Sequence, residues 1–243
     1  MLRTVLYATY FVILLLLSQI VMLLPYFLLR LIGLKKLSRR FLTRIARLMG
    51  RLTIGGIGAP VSVSGLDNLP GDTKRICIVA NHQSLFDIPL VAGYVPLLSG
   101  FIAKAELKKI PFLNFWLFAM DSVLLNRKSP HSAIKAINNG VEQIKEGRPV
   151  CIFPEGTRSR SPRMGTFKQG SLKLALRSKA VIVPLTIQNS YKLYEGTGRI
   201  RIAPVSLTIH PPVHTADLDQ EEKKKLSDQL QTIIGGPLAV EHE

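Results

Sequence analysis

The chain has 243 residues, enough for one α/β domain with a sizeable core plus an appendage. Hydrophobic residues make up 47% of it, and 32 Lys and Arg against 16 Asp and Glu give a formal net charge of +16. That balance favours polyanionic partners: anionic lipid headgroups, nucleic acid or an acidic protein. Cys77 and Cys151 each fall in an apolar run without metal-ligand spacing. They read as small core residues in a reducing compartment, and they count against a cysteine-bound metal.

From Thr4 to Leu29 there is no charge. At ~1.5 Å per residue this stretch reaches ~39 Å as a helix, more than the ~30 Å hydrocarbon core of a bilayer. Pro25 is placed to shorten or kink it. The run is too long for a cleaved signal peptide, and no A-x-A site follows. Arg30 to Arg51 contains eight basic residues and no acidic one. Leu37, Phe41, Ile45, Leu48, Met49 and Leu52 recur there at helical spacing, with Arg40, Arg44, Arg47 and Arg51 largely between them. This pattern suits a basic amphipathic helix lying on an anionic membrane surface. A single span and a hairpin half-sunk in one leaflet both fit. Both place the Lys and Arg, and the folded domain, on the cytoplasmic side.

Gly55-Gly56-Ile57-Gly58 ends the helix, so residues 1–57 are read as anchoring helices and residues 58–243 as the globular domain. Val61 to Ser64 is a predicted strand and Asn68-Leu69-Pro70-Gly71 a turn. Further strands are predicted at Ile76–Ala80, Phe101–Ala103, Ser122–Asn126, Val150–Phe153 and Val181–Ile187. Helices are predicted from Ser84 to Ala92, Pro111 to Phe118, Ser132 to Lys145 and Phe167 to Leu176. Arg199 to Ile209 alternates polar and apolar around Pro204, which suggests one or two edge strands. Leu218 to Ile233 reads as a polar, peripheral helix. Strands alternating with helices predict an α/β fold: a mostly parallel sheet flanked by helices, behind an N-terminal membrane-embedded helical segment.

Two stretches carry chemistry. In Asn81-His82-Gln83-Ser84-Leu85-Phe86-Asp87 a histidine follows a buried strand, at the sheet end where open α/β folds bind ligands. Histidine can take a proton near neutral pH if its ring is held in one tautomer, and an aspartate can hold it. Residues five apart diverge on one continuous helix. The pair therefore fits better with His82 in the turn, Ser84 as N-cap and Asp87 at the third helical position. The same spacing also reads as a capping box, in which Asp87 does no more than start a helix. In Phe153-Pro154-Glu155-Gly156-Thr157-Arg158-Ser159, exposed turn amides with Thr157 and Arg158 form a plausible phosphate cradle. Arg127, at the end of a different predicted strand, is placed to reach the same cleft. The alternative is that Arg127, Arg158 and Arg160 are solvated loop charges. Glu155 reads as a support for an arginine or a turn amide.

These blocks, together with the segment ending at Asn126-Arg127 and with Val183-Pro184-Leu185-Thr186-Ile187, resemble the glycerolipid acyltransferases in order and spacing. The match is nearest to bacterial 1-acyl-sn-glycerol-3-phosphate acyltransferases. The second block departs from the family pattern at Met120-Asp121-Ser122-Val123-Leu124-Leu125. Lys104 and the run Phe167-Lys168-Gln169-Gly170 also look like the family. The resemblance implies that His82 is a general base and Asp87 its orienting partner. It implies that Arg127 and Arg158 bind the acceptor's phosphate, that Gly156 and Thr157 shape the loop, and that Lys104 and Glu155 support the site. Val183 and Pro184 would lie near the acyl or acceptor pocket. The implied reaction moves an acyl group from an acyl carrier protein or coenzyme A thioester to the sn-2 hydroxyl of lysophosphatidic acid. It yields phosphatidic acid at the cytoplasmic face of the cell inner membrane, without metal or other cofactor. Glycerol 3-phosphate or another lyso-lipid is the alternative acceptor within the family. A different class of reading is a non-catalytic membrane-surface protein that captures anionic lipid. Nucleic acid is disfavoured, because the bilayer accounts for the basic residues beside the anchor and no nucleic-acid motif appears.

Overall fold

The computed structural model describes residues 1–72, 74–97, 99–126 and 130–239. Among them eight strands form one sheet. These are β1 (Val61–Ser64), β2 (Ile76–Ala80), β3 (Gly100–Lys104), β4 (Val123–Leu125), β5 (Val150–Ile152), β6 (Val181–Gln188), β7 (Val205–Ile209) and β8 (Val213–His214). Their order is β1-β7-β6-β2-β5-β3-β4, with β8 beside β6. β2 lies at the centre and is parallel to both neighbours, with Ile78 opposite Cys151 on β5 and Val183 on β6. β3 continues the parallel set to β5 and β4, whereas β7 and β8 run antiparallel to β6.

β2 is fully buried, which explains its unbroken apolar sequence. Its alternate residues feed two cores. Ile76, Ile78 and Ala80 join Cys151, Val183 and Leu185 on one face, under α4 (Asp87–Tyr94) and the carboxyl end of α3 (Lys35–Gly55). Cys77 and Val79 join Val150, Ile152 and Ile182 on the other. That face is covered by α6 (Pro130–Lys145), α7 (Lys173–Ser178) and α8 (Gln220–Ala239). Both cysteines are buried and free. Burial pushes the Cys77 thiol up to about 12 and Cys151 well above the ordinary thiol range.

Two expectations are corrected here. β7 is not an edge strand: β1 pairs along its far side. Pro204 ends just short of it and interrupts no ladder. Pro184, inside β6, sits where the antiparallel partner changes from β8 to β7, and its carbonyl accepts from the His210 amide at 3.0 Å. A missing donor costs little at such a junction. α8 is not peripheral, since Leu226, Leu230, Ile234 and Leu238 are buried against the sheet.

The N-terminal region is a helical hairpin. α1 (Leu2–Ser18) and α2 (Leu24–Leu31) are joined by a widened turn at Gln19–Leu23, making one 30-residue apolar helix. The wide turn precedes Pro25, whose missing N–H and ring would disrupt a regular turn there. The helix therefore continues through Pro25. After Gly33 the chain turns back into α3, and Tyr7 and Tyr10 donate to the carbonyls of Thr53 and Leu52.

α3 does not spend its apolar side on a surface. Leu42, Ala46, Met49, Gly50, Thr53 and Ile54 are buried against the protein, while Leu37 and Leu48 remain about half exposed. The buried stripe is shifted from the one read in the sequence because α4 approaches through small residues. A Cβ on Gly50 would stand 2.5 Å from the Pro89 carbonyl oxygen. α5 (Leu113–Ala119) joins Leu42, Ala46 and Met49 of α3 and Leu14, Leu23 and Tyr26 of the first helix in a third cluster. Its buried Trp116 donates to Ser18 Oγ at 2.9 Å.

Candidate active site

The carboxyl ends of β2, β3, β5 and β6 converge on one rim of the sheet. Two residues past β2, His82 Nδ1 lies 2.7 Å from Asp87 Oδ2. Asp87 is fully buried and its carboxylate can only accept, so the hydrogen-bond network assigns the ring proton to Nδ1. That leaves Nε2 with a free lone pair. The imidazole stacks on Phe153, with centroids 4.1 Å apart and planes 16° apart, and its side chain is 17% exposed.

The alternative reading, a capping box, is met in part: Asp87 accepts from the Ser84 amide, but the Ser84 hydroxyl takes the Phe86 amide and not that of Asp87. α4 begins at Asp87 itself, two positions later than the helix boundary read in the sequence. Asp87 turns back and accepts from the amides of Gln83 and Ser84 at 2.7 and 2.8 Å. Ser84 Oγ accepts from the Phe86 amide and donates to Glu195. The loop thus wraps the carboxylate while the serine hydroxyl holds the turn that leads into α4.

The second block closes over the first. A turn at Phe153–Gly156, with Gly156 at φ +73°, brings the loop back across the histidine. Glu155 clasps both pieces. Its Oε1 accepts from the His82 amide at 2.6 Å and its Oε2 from the Gly165 amide at 2.8 Å. The Ser159 amide donates to the His82 carbonyl at 2.7 Å. Burial raises the Glu155 carboxyl above its ordinary range, and the two amides act against that rise. Arg158 Nη1 donates to Glu195 at 2.9 Å, and a third of its side chain stays exposed.

A cavity of about 960 Å³ opens beside the ring. His82, Lys104, Gly156, Thr157, Arg158 and Lys168 line its polar end, and Arg160 also reaches it. It runs on between apolar side chains to Tyr7, Phe11 and Leu15 of α1, Met49 of α3 and Trp116 of α5. Asp87 and Glu155 stand behind this wall. Val183 and Pro184 do not reach the cavity, contrary to the expectation that they flank a pocket. They form the rungs of β6 beside Ile78 and Val79, and so brace the strand that carries the histidine. Arg127 lies outside the described residues. Among those described, no cluster of three His, Cys, Asp or Glu is arranged to hold a metal.

The pattern has known counterparts. Residues 60–188 match the family model described as Acyltransferase. The chain belongs to the acyltransferase family. It is similar to a 1-acyl-sn-glycerol-3-phosphate acyltransferase of Borreliella burgdorferi, 32% identical over 73% of this chain and 71% of that protein. It is also similar to the chloroplastic 1-acyl-sn-glycerol-3-phosphate acyltransferase of Arabidopsis thaliana, 31% identical over 79% of this chain. It spans 55% of that plant protein's length and 58% of a Brassica napus relative. The crystal structure of the 1-acyl-sn-glycerophosphate acyltransferase PlsC of Thermotoga maritima superimposes with a TM-score of 0.83 at 29% identity. That match covers 100% of this chain and 98% of the other.

Within the family framework, two residues that hold this site belong to no motif in the sequence. Ser190 donates to Asp87 Oδ1 at 2.5 Å. Glu195 accepts from Ser84 Oγ at 2.6 Å and from the Leu85 amide at 2.7 Å, as well as from Arg158. Both follow β6 in a stretch without periodicity. A faint cue was available: Glu195 is an isolated acid in a strongly basic chain.

Proposed function

We propose that the chain transfers a fatty acyl group from an acyl thioester to the sn-2 hydroxyl of 1-acyl-sn-glycerol 3-phosphate, giving phosphatidic acid. The observation that carries this reading is the 2.7 Å contact between His82 Nδ1 and Asp87 Oδ2, with the ring open to a cavity that is basic at one end and apolar along its length. Nε2 accepts the hydroxyl proton as the acceptor oxygen attacks the thioester carbon. The tetrahedral intermediate collapses with cleavage of the carbon–sulfur bond, and the proton passes to the departing thiolate. Asp87 holds the imidazolium that forms between the two transfers.

Arg158, joined by Arg127 on the strength of the family resemblance, would hold the acceptor's phosphate, with Gly156, Thr157 and Lys104 around it. Binding the headgroup turns a diffusive encounter into a positioned attack. Acyl carrier protein or coenzyme A supplies the thioester, and no cofactor enters the chemistry. The apolar Leu2–Leu31 helix is long enough to cross a bilayer. Phe112, Phe115 and Phe118 expose further apolar surface near it. We place the protein on the inner membrane with its rim of strand ends toward cytoplasmic headgroups, where lysophosphatidic acid resides.

The test is thiol release from acyl-acyl carrier protein and acyl-coenzyme A by purified protein, each with lysophosphatidic acid, glycerol 3-phosphate or no acceptor. Release that depends on lysophosphatidic acid is expected. Lipid binding without release would favour a capture protein, and dependence on glycerol 3-phosphate would move the acceptor assignment.

A further inference from the structure

We propose that the turn following β6, from Ser190 to Glu195, is a positioning device with two separate levers, one setting the histidine and the other setting the phosphate-facing arginine. This rests on the acyl-transfer reading above and adds two residues to it.

Ser190 opens a tight turn, Ser190–Leu193, at the carboxyl end of β6. It is fully buried, and its hydroxyl donates to Asp87 Oδ1 at 2.5 Å. The other oxygen, Oδ2, accepts from His82 Nδ1 and from the Gln83 and Ser84 amides. Ser190 is therefore the donor on the far side of the carboxylate. A carboxylate held on one side only can rotate about its Cβ–Cγ bond. Held on both sides, it presents Oδ2 to the imidazole in one orientation.

Glu195 works on the other half of the site. Its side chain is only 4% exposed. Oε2 accepts from Ser84 Oγ, and Oε1 from the Leu85 amide and Arg158 Nη1. A neutral oxygen would satisfy the hydroxyl and the amide. Among the described residues, the negative charge is matched by the Arg158 guanidinium alone. A guanidinium carries five N–H donors in a rigid fork, so one bond to Glu195 fixes its plane and leaves donors for a phosphate. The same carboxylate also holds Ser84 and the Leu85 amide in the loop between His82 and Asp87, and glutamine of the same length can keep both contacts, its NH2 donating to Ser84 Oγ where the carboxylate accepts from it.

The two levers separate in kinetics. Glu195→Gln keeps the shape and the loop contacts but removes the charge, so acceptor KM should rise at least ~5-fold with kcat within ~2-fold. Ser190→Ala should lower kcat ~10-fold with acceptor KM within ~2-fold. In an Arg158→Ala background Glu195→Gln should raise KM no further, and in an Asp87→Asn background Ser190→Ala should lower kcat no further, because each acts through its partner. Melting curves accompany every variant. If Ser190→Ala prevents folding, Ser190→Cys, a weaker donor of similar shape, replaces it with the same expected direction. If Glu195→Gln does, Arg158→Lys, which keeps the cation but lacks the fork, tests the same contact from its other side, with acceptor KM expected to rise. Losses that fall on kcat and KM together, or that persist undiminished in the partner-deleted backgrounds, would overturn the device while leaving the reaction intact. Wild-type protein inactive on lysophosphatidic acid with both donors would overturn the reaction, and the device with it.

Discussion

Gly50 on α3 faces Gly93 on α4 backbone to backbone: a Cβ on Gly50 would stand 2.6 Å from the Gly93 amide nitrogen, and one on Gly93 would stand 2.9 Å from the Arg51 nitrogen. Neither contact can be relieved by moving a side chain. Gly50→Ala must push the two helices apart, at a cost of about 1–3 kcal/mol. Because α4 starts at Asp87, the displacement also reaches the His82 pairing. A lowered melting temperature together with reduced kcat is the expected result. Gly71→Ala is the control, since a Cβ there meets nothing within 4 Å. Equal melting temperatures for the Gly50 variant and wild type would refute the close packing.

His82→Ala removes the group that takes the acceptor's proton, and turnover should fall at least ~10²-fold. Asp87→Asn should also lose activity, because a neutral amide in place of the carboxylate cannot hold the imidazolium that forms during proton transfer. Single-turnover acyl transfer by folded, purified variants is the measurement. Near-normal rates for His82→Ala would remove histidine from the mechanism.

The protein should stay with membranes after high-salt and alkaline-carbonate washing, because Leu2–Leu31 presents mostly exposed apolar side chains. Replacing Phe115 and Phe118, 49% and 67% exposed, with Ser should weaken vesicle binding without lowering the melting temperature. Complete release of wild-type protein by salt alone would mean that charge, not insertion, holds it.

His210 gives a pH signature away from the site. Thr186 Oγ1 donates to the Ile234 carbonyl at 2.7 Å, so it must accept from His210 Nε2 at 2.8 Å. Burial lowers the His210 imidazole from its ordinary 6.5. The unfolded chain therefore takes up this proton first as pH falls. The neutral ring's contribution to stability is complete above 6.5 and is lost as pH drops from there through the folded value. His210→Asn should show a shallower fall in melting temperature between about pH 7.5 and pH 5.5 than wild type. Parallel curves would show that His210 has no part in the decline.

The sequence disclosed some of these features and hid others, for identifiable reasons. The boundaries of β2 were readable because a strand buried on both faces is a plain apolar run between polar ends. The His82–Asp87 spacing was readable as a pair, but its backbone was not. Nothing in Ser84 or Asp87 reveals that the hydroxyl, while accepting from the Phe86 amide, will donate to Glu195, more than a hundred positions away. The buried stripe on α3 differs from the one read in the sequence because Gly50, Ala46 and Thr53 carry too little apolar surface to stand out, yet all three are buried and Gly50 is what lets α4 come close. β7 looked like an edge because its alternation records one covered face and says nothing about a neighbour in the plane of the sheet.

The clasp made by Glu155 reaches residue 82 through its main-chain amide and never touches the imidazole. A protein with alanine at that position would still hand the carboxylate the same N–H, and the Ser159 amide would still find the same carbonyl. Such a silenced molecule would keep the shape of its loops while losing its turnover, and it offers a means to hold donor and acceptor together, unreacted, for direct observation.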